Sequence, residues 1–225
     1  MVEQQISNLY TRVRFPSPAH FFMSNMTTDN YEKHTAKASF WQFKWLQKLL
    51  IDNYYIVLLD TAKRLKPTSV LDAGCGEGFT LSHFEEKNIG KNLEGVDFLS
   101  TAIKIGKKLH PKLALKQGDI YKLPYKDSQF DLVLCTEVLE HLENPEKALK
   151  ELKRVTKKYI ILSVPNEPLF MFGNFIRGKN VKRWGNDVEH INHWSTSAFE
   201  KFVAKEFTVE DVNTPLPWTM IVAKK

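Results

Sequence analysis

A short glycine-rich stretch constrains the fold of this chain more than any other feature of the sequence. Residues 70–78 read VLDAGCGEG, an apolar run followed by glycine at every second position, D-x-G-x-G-x-G. The apolar run predicts a buried strand, and the glycines predict a tight turn into the next helix. Glycine permits the sharp turn at Gly74 and leaves room for a ligand beside the backbone at Gly76. The stretch therefore predicts the strand–loop–helix unit of a ligand-binding α/β fold.

The charge of this loop indicates the kind of ligand. The free N–H groups at the start of a helix ordinarily favour a phosphate. Asp72 and Glu77, however, place two carboxylates around the loop, and these would repel a pyrophosphate. A cationic nucleoside without phosphates suits the loop better. S-adenosylmethionine (SAM), with its sulfonium and ammonium groups, is a molecule of that kind.

Composition sets broad bounds on the class of protein. With 225 residues, 43% of them hydrophobic, the chain can bury one core, which predicts one domain with an appended element. Cys75 and Cys135 both lie in apolar segments without the spacing of a zinc site, so we predict reduced core thiols and a cytoplasmic protein. The net charge is +6, but the basic residues are dispersed. Dispersed charge is typical of a solvated surface, and contact with nucleic acid or an acidic membrane stays open.

The chain divides into three parts. Residues 1–26 show no periodicity, and we predict a disordered leader, with Met23 or Met26 as a candidate true start. Residues 27–66 carry aromatic and aliphatic side chains at helical spacing, which predicts a helical segment that either packs on the core or forms a lid over the substrate. Residues 67–225 form the main domain, with an insertion at 166–194.

Strand and helix patterns alternate through the main domain, which predicts a parallel sheet covered on both faces. The predicted strands are Ser69–Ala73, Leu93–Asp97, Leu113–Gln117, Leu132–Thr136, Tyr159–Val164, Phe207–Val212 and Trp218–Ala223. The predicted helices are Phe79–Glu86, Ser100–Leu109, Pro145–Val155 and Ser197–Glu206, with Ser100 as an N-cap.

Three aspartates fall at successive predicted strand ends. In an open parallel sheet, ligands bind outside the carboxyl ends of the strands. Asp72 ends the first strand, and Asp97 ends the second, where it can accept hydrogen bonds from both ribose hydroxyls. Asp119 ends the third, placed to accept from an adenine amino group while Ile120 covers the ring.

Four segments stand out in the run from Val70 to Pro168: VLDAGCGEG, GVDFLSTAI, GDIYKLPYKDSQFDLVLCTEVLEHLENPEKALKELKRV and YIILSVPNEP. Because of these segments, the run resembles the class I SAM-dependent methyltransferases. Within them it is most similar to the type 11 group, which includes ubiquinone and menaquinone biosynthesis methyltransferases. The resemblance implies a Rossmann-like, mostly parallel seven-stranded sheet of order 3-2-1-4-5-7-6, with an antiparallel last strand, helices on both faces and an N-terminal helical lid. It also implies a set of SAM-binding residues: Asp72, Gly74, Cys75, Gly76, Gly78, Asp97, Phe98, Asp119, Ile120 and Thr136.

The candidate catalytic residues follow the fourth and fifth strands. Glu137, Glu140 and His141 are spaced i, i+3, i+4, so on a helix they would share one face. In some quinone-pathway O-methyltransferases a similar E-x-x-E-H run binds a divalent ion, but the same letters recur in members without metal, and we do not favour a metal here. His141 is either a base or substrate contact, or a structural histidine. His190 and His193 either line the acceptor pocket or pack the insertion.

We therefore predict a SAM-dependent methyltransferase that acts on oxygen or carbon of a small-molecule or lipid-like acceptor by in-line displacement. It would be a monomer or homodimer, with the insertion contacting a lipid tail or a partner subunit. A dehydrogenase would need G-x-G-x-x-G or a Tyr-x-x-x-Lys pair, and the chain has neither. Nucleic-acid amino-methyltransferases have (Asp/Asn)-Pro-Pro-(Tyr/Phe) where this chain has 136–139, TEVL, so nucleic acid is not favoured. An RNA or protein methyltransferase and a non-catalytic SAM-binding regulator remain the alternatives.

Overall fold

The computed structural model describes residues 44–167, 169–171 and 190–225. The predicted leader, the first part of the predicted helical segment and most of the insertion lie outside these residues. In the described part the strands are β1 Ser69–Ala73, β2 Asn92–Asp97, β3 Ala114–Gln117, β4 Phe130–Thr136, β5 Thr156–Pro165, β6 Thr208–Asn213 and β7 Trp218–Lys224. The helices are α1 Lys44–Leu65, α2 Phe79–Glu86, α3 Ser100–Leu109, α4 Pro145–Val155 and α5 Thr196–Val203, with a 3₁₀ turn at Leu139–His141.

The strands form one seven-stranded sheet of order β3-β2-β1-β4-β5-β7-β6, which confirms the predicted fold. All neighbouring pairs among the first five strands are parallel. Strand β7 runs antiparallel to both β5 and β6. The strand order reverses direction at β1 and β4, and ligands bind at such a switch point in open α/β sheets.

The sheet is buried on both faces because successive side chains of its central strands point to opposite sides. In β4, Val133 and Cys135 belong to the core beneath α4 and α5. Leu132 and Leu134 belong to the core on the other face, with α1, α2 and α3. Cys75 and Cys135 are both buried free thiols, as predicted.

Local sequence signals explain where α4 begins and which side it buries. Asn144 caps the helix, since its side chain accepts a hydrogen bond from the Lys147 N–H at 3.0 Å, and Pro145 occupies the first turn. The buried side chains recur at helical spacing: Ala148, Leu149, Leu152 and Val155. The bounds predicted for α2, α3 and α4 are confirmed.

The predicted N-cap Ser100 is wrong. Leu99 precedes α3, and no side chain caps it there. Instead, the Leu99 N–H donates to Oδ1 of Asp97 at 2.8 Å, so the aspartate at the end of β2 stabilises the start of the helix. Within the described ranges, no helix is both long enough and apolar enough to cross a membrane.

Candidate active site

The loop that joins β1 to α2 is held against β2 by its backbone. The N–H groups of Gly74 and Cys75 both donate to the carbonyl of Val96, at 2.7 and 3.0 Å. Gly74 has φ +92°, and a Cβ built there would lie 2.3 Å from Cγ2 of Val138. A Cβ built at Gly76 meets no atom within 4 Å. Gly74 is therefore required by close packing, whereas the space beside Gly76 is open.

Asp97 organises this loop with both of its carboxylate oxygens. Oδ2 accepts from the Gly76 N–H at 2.8 Å, and Oδ1 accepts from the Leu99 N–H at 2.8 Å. The side chain lies at the end of β2 and is 9% exposed. A carboxylate has roughly four lone-pair sites, so these two bonds leave acceptor capacity for a ligand.

Asp72 is the least satisfied charged group of the loop region. The residue is 1% exposed, and its Oδ1 has no hydrogen-bond partner among the described residues. Burial, and secondarily the negative charge of Asp97, raises the pKa of Asp72 to about 7. A positively charged ligand would stabilise the ionised carboxylate at this position.

A small cleft that is open to solvent lies beside this aspartate. Its walls contain four of the predicted cofactor residues, Asp72, Gly74, Cys75 and Thr136, with Glu77 of the same loop. They also contain three side chains that the sequence analysis missed, Tyr55, Phe79 and Thr80. The aromatic pair at 54–55 in a helical pattern was the available signal for Tyr55. For Phe79 and Thr80 the signal was their position directly after the glycine loop.

The other predicted cofactor residues lie outside the walls of this cleft. Gly76 and Gly78 belong to the same loop, and Phe98 follows Asp97 with its side chain 59% exposed. Asp119 is exposed, two residues beyond the end of β3, and its Oδ1 accepts from the Tyr121 N–H at 2.9 Å. Ile120 packs partly against the core. Phe98, Asp119 and Ile120 lie at the carboxyl ends of β2 and β3, next to the cleft in the strand order.

Glu137 follows β4 in the left-handed region of backbone conformation, with φ +58°. Its Oε1 accepts from the Ser163 hydroxyl at 2.9 Å, and that hydroxyl lies 2.8 Å from the Tyr54 hydroxyl. Because Ser163 has one hydroxyl hydrogen, Tyr54 donates to Ser163 when Ser163 donates to Glu137. Burial, and secondarily the charge of Glu140, raises the pKa of Glu137 well above its usual range.

The predicted helical face of Glu137, Glu140 and His141 is wrong. Left-handed φ at Glu137 is incompatible with an α-helix, and only the 3₁₀ turn follows it. Glu137 bonds to Ser163 on β5, whereas the His141 ring packs against the His190 ring with centroids 5.0 Å apart. At this turn Val138 packs close to Gly74.

Five ionisable side chains meet where β4 and β5 end, and we call them the histidine cluster: Glu140, His141, Glu167, His190 and His193. They form two groups, Glu140–His141–His190 and Glu167–His190–His193, and within each group the nearest ligand atoms all lie within 4.8 Å of one another. The structure thus brings together the predicted residues His141, His190 and His193. Glu167 was missed, although a carboxylate directly after a strand end is the same signal that identified the aspartates.

Comparison with known proteins agrees with this architecture. Residues 71–162 match the family model of a methyltransferase domain. Norajmaline N-methyltransferase of Rauvolfia serpentina is 38% identical over 96 residues, 40% of this chain and 32% of that protein. Demethylmenaquinone methyltransferase of Lactobacillus johnsonii is 26% identical over 93% of this chain and 84% of that protein.

Solved structures show the same fold. A Pyrococcus horikoshii protein superposes with a TM-score of 0.64 at 19% identity, over 88% of this chain and 99% of that one. The chain spans only about a third of the length of the norajmaline enzyme. The matching segment nevertheless runs from β1 to β5 and contains the glycine loop, Asp97 and Glu137. The chain therefore contains a methyltransferase domain over residues 71–162, within the sheet order that the resemblance to class I SAM-dependent methyltransferases implies.

Proposed function

We propose that the protein binds SAM at the carboxyl ends of β1 and β2 and transfers its methyl group to a small-molecule or lipid-like acceptor. The buried carboxylate of Asp72 is the observation that supports this most. It faces a cleft, lacks a partner for Oδ1 within the described ranges, and has a pKa raised to about 7. A cationic ligand relieves the cost of that buried charge, and an anionic nucleotide adds to it.

The remaining cofactor contacts follow from the strand ends. Asp97 keeps lone pairs beyond those that accept from Gly76 and Leu99, which suits the two hydroxyls of a ribose. Phe98, Asp119 and Ile120 lie at the ends of β2 and β3, where the family resemblance places the adenine. Thr136, at the end of β4 and on the cleft wall, would flank the methionine part.

When bound, SAM supplies a methyl group that its sulfonium already activates. The residues of the chain then have to hold the acceptor in line with that methyl group, a contribution worth about 7–11 kcal/mol in well-oriented reactions. A proton acceptor adds a further ~3–5 kcal/mol, equivalent to 10²–10⁴-fold. Orientation therefore outweighs acid–base chemistry at such a site.

Glu137 is the side chain best placed to accept a proton from the acceptor. It follows Thr136 of the cleft wall, and burial raises the pKa of Glu137, which makes the ionised carboxylate a stronger base than an ordinary one. The Ser163 hydroxyl donates to the carboxylate at 2.9 Å, and the Tyr54 hydroxyl holds Ser163 in turn at 2.8 Å. His141, His190 and His193 lie beyond the same strand ends, and we propose that they line the acceptor side.

Two measurements test the proposal. Calorimetry should show saturable binding of SAM and S-adenosylhomocysteine, and weak or no binding of NAD(H) and ATP. An assay of S-adenosylhomocysteine release should then respond to a phenol or lipid-like acceptor. Tight NAD(H) or ATP binding without SAM binding would overturn the cofactor. Release with tRNA or a protein alone, or binding with no release, would overturn the acceptor class in favour of the alternatives.

A further inference from the structure

One half of the histidine cluster has the composition and spacing of a metal site. We propose that Glu167, His190 and His193 bind a first-row divalent transition-metal ion, with zinc as the probe. Two imidazoles and one carboxylate are a ligand set that such ions accept, and three protein ligands leave a coordination position open. The site does not use Glu137, Glu140 or His141.

The distances between these side chains are those of ligands around an ion. Nδ1 of His190 and Nδ1 of His193 lie 3.5 and 3.8 Å from the same oxygen, Oε1 of Glu167. Both distances exceed the 2.7–3.2 Å of an N–H···O hydrogen bond. Ligands about 2.1 Å from a tetrahedral ion lie about 3.4 Å from each other. An ion between the three atoms therefore needs only small side-chain shifts.

Burial makes the arrangement costly unless something compensates it. Glu167 is 7% exposed and His190 is 8% exposed. Oε1 of Glu167 and Nδ1 of His190 have no hydrogen-bond partner among the described residues. A buried polar atom without a partner costs on the order of 1–3 kcal/mol, and more for a charged group. A shared cation would satisfy both atoms at once.

The backbone around the ligands is held in place. The second carboxylate oxygen of Glu167 accepts from the Met171 N–H at 3.2 Å, and the Glu167 N–H donates to the Trp194 carbonyl at 2.9 Å. The N–H groups of Ile191 and Asn192, between the two histidines, both donate to the Glu140 carbonyl at 2.9 Å. Such outer contacts orient metal ligands before the ion arrives.

Solvent exposure favours Glu167–His190–His193 as the metal site over the neighbouring group Glu140–His141–His190. The His193 side chain is 36% exposed, which gives an ion a path from solvent and leaves room for a water or an acceptor oxygen. In the other group, Glu140, His141 and His190 are 1%, 4% and 8% exposed, which leaves no comparable access. Because the side chains of Glu167 and His193 lie outside the SAM-binding set, metal binding is measurable whether or not methyl transfer occurs.

The test uses the full chain without a histidine tag, freed of metal with a chelator and titrated with Zn²⁺ by calorimetry and with Co²⁺ by visible absorption. We expect one ion per chain. His193→Ala and Glu167→Gln should each weaken binding by at least about tenfold, because losing a supporting contact alone costs that much. His83→Ala is the matched control, since its Nδ1 lies 3.7 Å from Oε2 of Glu86 and no third ligand joins this pair among the described residues. Binding should not change in this variant.

Two results would overturn the proposal. One is the absence of saturable Zn²⁺ and Co²⁺ binding by the wild-type chain. The other is loss of binding in Glu140→Gln with full binding in His193→Ala and Glu167→Gln, which would assign the ion to the other group. Circular dichroism of each variant confirms that it is folded, so a loss of binding reports the ligand and not the fold.

Discussion

The glycine loop and the histidine cluster are built by opposite means. The loop takes its shape from backbone hydrogen bonds and one contiguous run of sequence, with Asp97 as its main side-chain support. The cluster takes its ligand atoms from three segments, at 140–141, 167 and 190–193, and Oε1 of Glu167 and Nδ1 of His190 have no hydrogen-bond partner in the part of the chain that the structure describes. Backbone shape suits a cofactor that many proteins share. Under the proposed function, the side-chain cluster is the part in which specificity for an acceptor can vary.

Under the proposed function, changes beside the end of β4 should alter turnover and not cofactor affinity. Glu137→Gln should lower turnover by roughly 10²-fold or more, because a proton acceptor is lost, while leaving SAM affinity within a factor of about two. Steady-state rates and calorimetry on the same preparation measure the two effects. Glu143→Gln, an exposed carboxylate nearby, is the control. Unchanged turnover in Glu137→Gln would remove this residue from the reaction.

The stability of the protein should be sensitive to a single methyl group added to the glycine loop. Gly74→Ala places a Cβ 2.3 Å from Cγ2 of Val138 at φ +92°, and we expect a loss of about 3 kcal/mol in the free energy of unfolding. Gly76→Ala, which meets no atom within 4 Å, should lose only about 1 kcal/mol. Urea denaturation compares the two variants. Adding Val138→Ala to Gly74→Ala should recover part of the loss, and a purely additive double variant would show that the contact is not the cause.

Affinity for the cofactor should depend on Asp97. Asp97→Ala removes an acceptor for the ribose hydroxyls and the supports of Gly76 and Leu99, so SAM binding should weaken by about 1–3 kcal/mol. Asp97→Asn keeps one acceptor oxygen, so its affinity for SAM should lie between those of the wild type and Asp97→Ala. Calorimetry measures both variants, with the exposed Asp211→Ala as control. Wild-type affinity in Asp97→Ala would exclude the ribose contact.

The smallest expected effect is a pH dependence that belongs to Asp72. Its pKa in the folded chain is about 7, above the 3.8 of an exposed aspartate, so stability falls as pH rises between these values. A cation favours the ionised form, so SAM affinity should rise with pH by at most about tenfold per unit below pH 7 and level off above it.

Calorimetry in buffers with different ionisation heats should show proton release on binding near pH 6. Asp72→Asn should abolish that release and flatten the pH profile of affinity. It should also stabilise the free protein at pH 8. A variant that retains the wild-type pH profile would assign the titration to another group.

The sequence alone predicts the glycine loop and does not predict the histidine cluster, for physical reasons. Helices α2, α3 and α4 and strand β1 have the predicted bounds because their apolar periods and breakers are local. The spacing of Glu137, Glu140 and His141 suggested one helix, but the chain forms a turn there, at which Val138 packs close to Gly74, more than 60 residues away. Glu167 and Tyr55 carry local signals, a carboxylate just after a strand end and an aromatic pair in a helical pattern, but only tertiary packing determines which site each of them enters.

The contact between Gly74 and Val138 ties the cofactor cleft to the residues that follow β4. Val138 comes directly after Glu137, and its Cγ2 lies 2.3 Å from the position of a Cβ built at Gly74. Close-packed groups transmit strain, so a movement of the glycine loop would affect Val138 and its neighbours. Under the proposed function, we therefore expect a filled cofactor cleft to change the affinity for the acceptor, which calorimetry with and without S-adenosylhomocysteine measures.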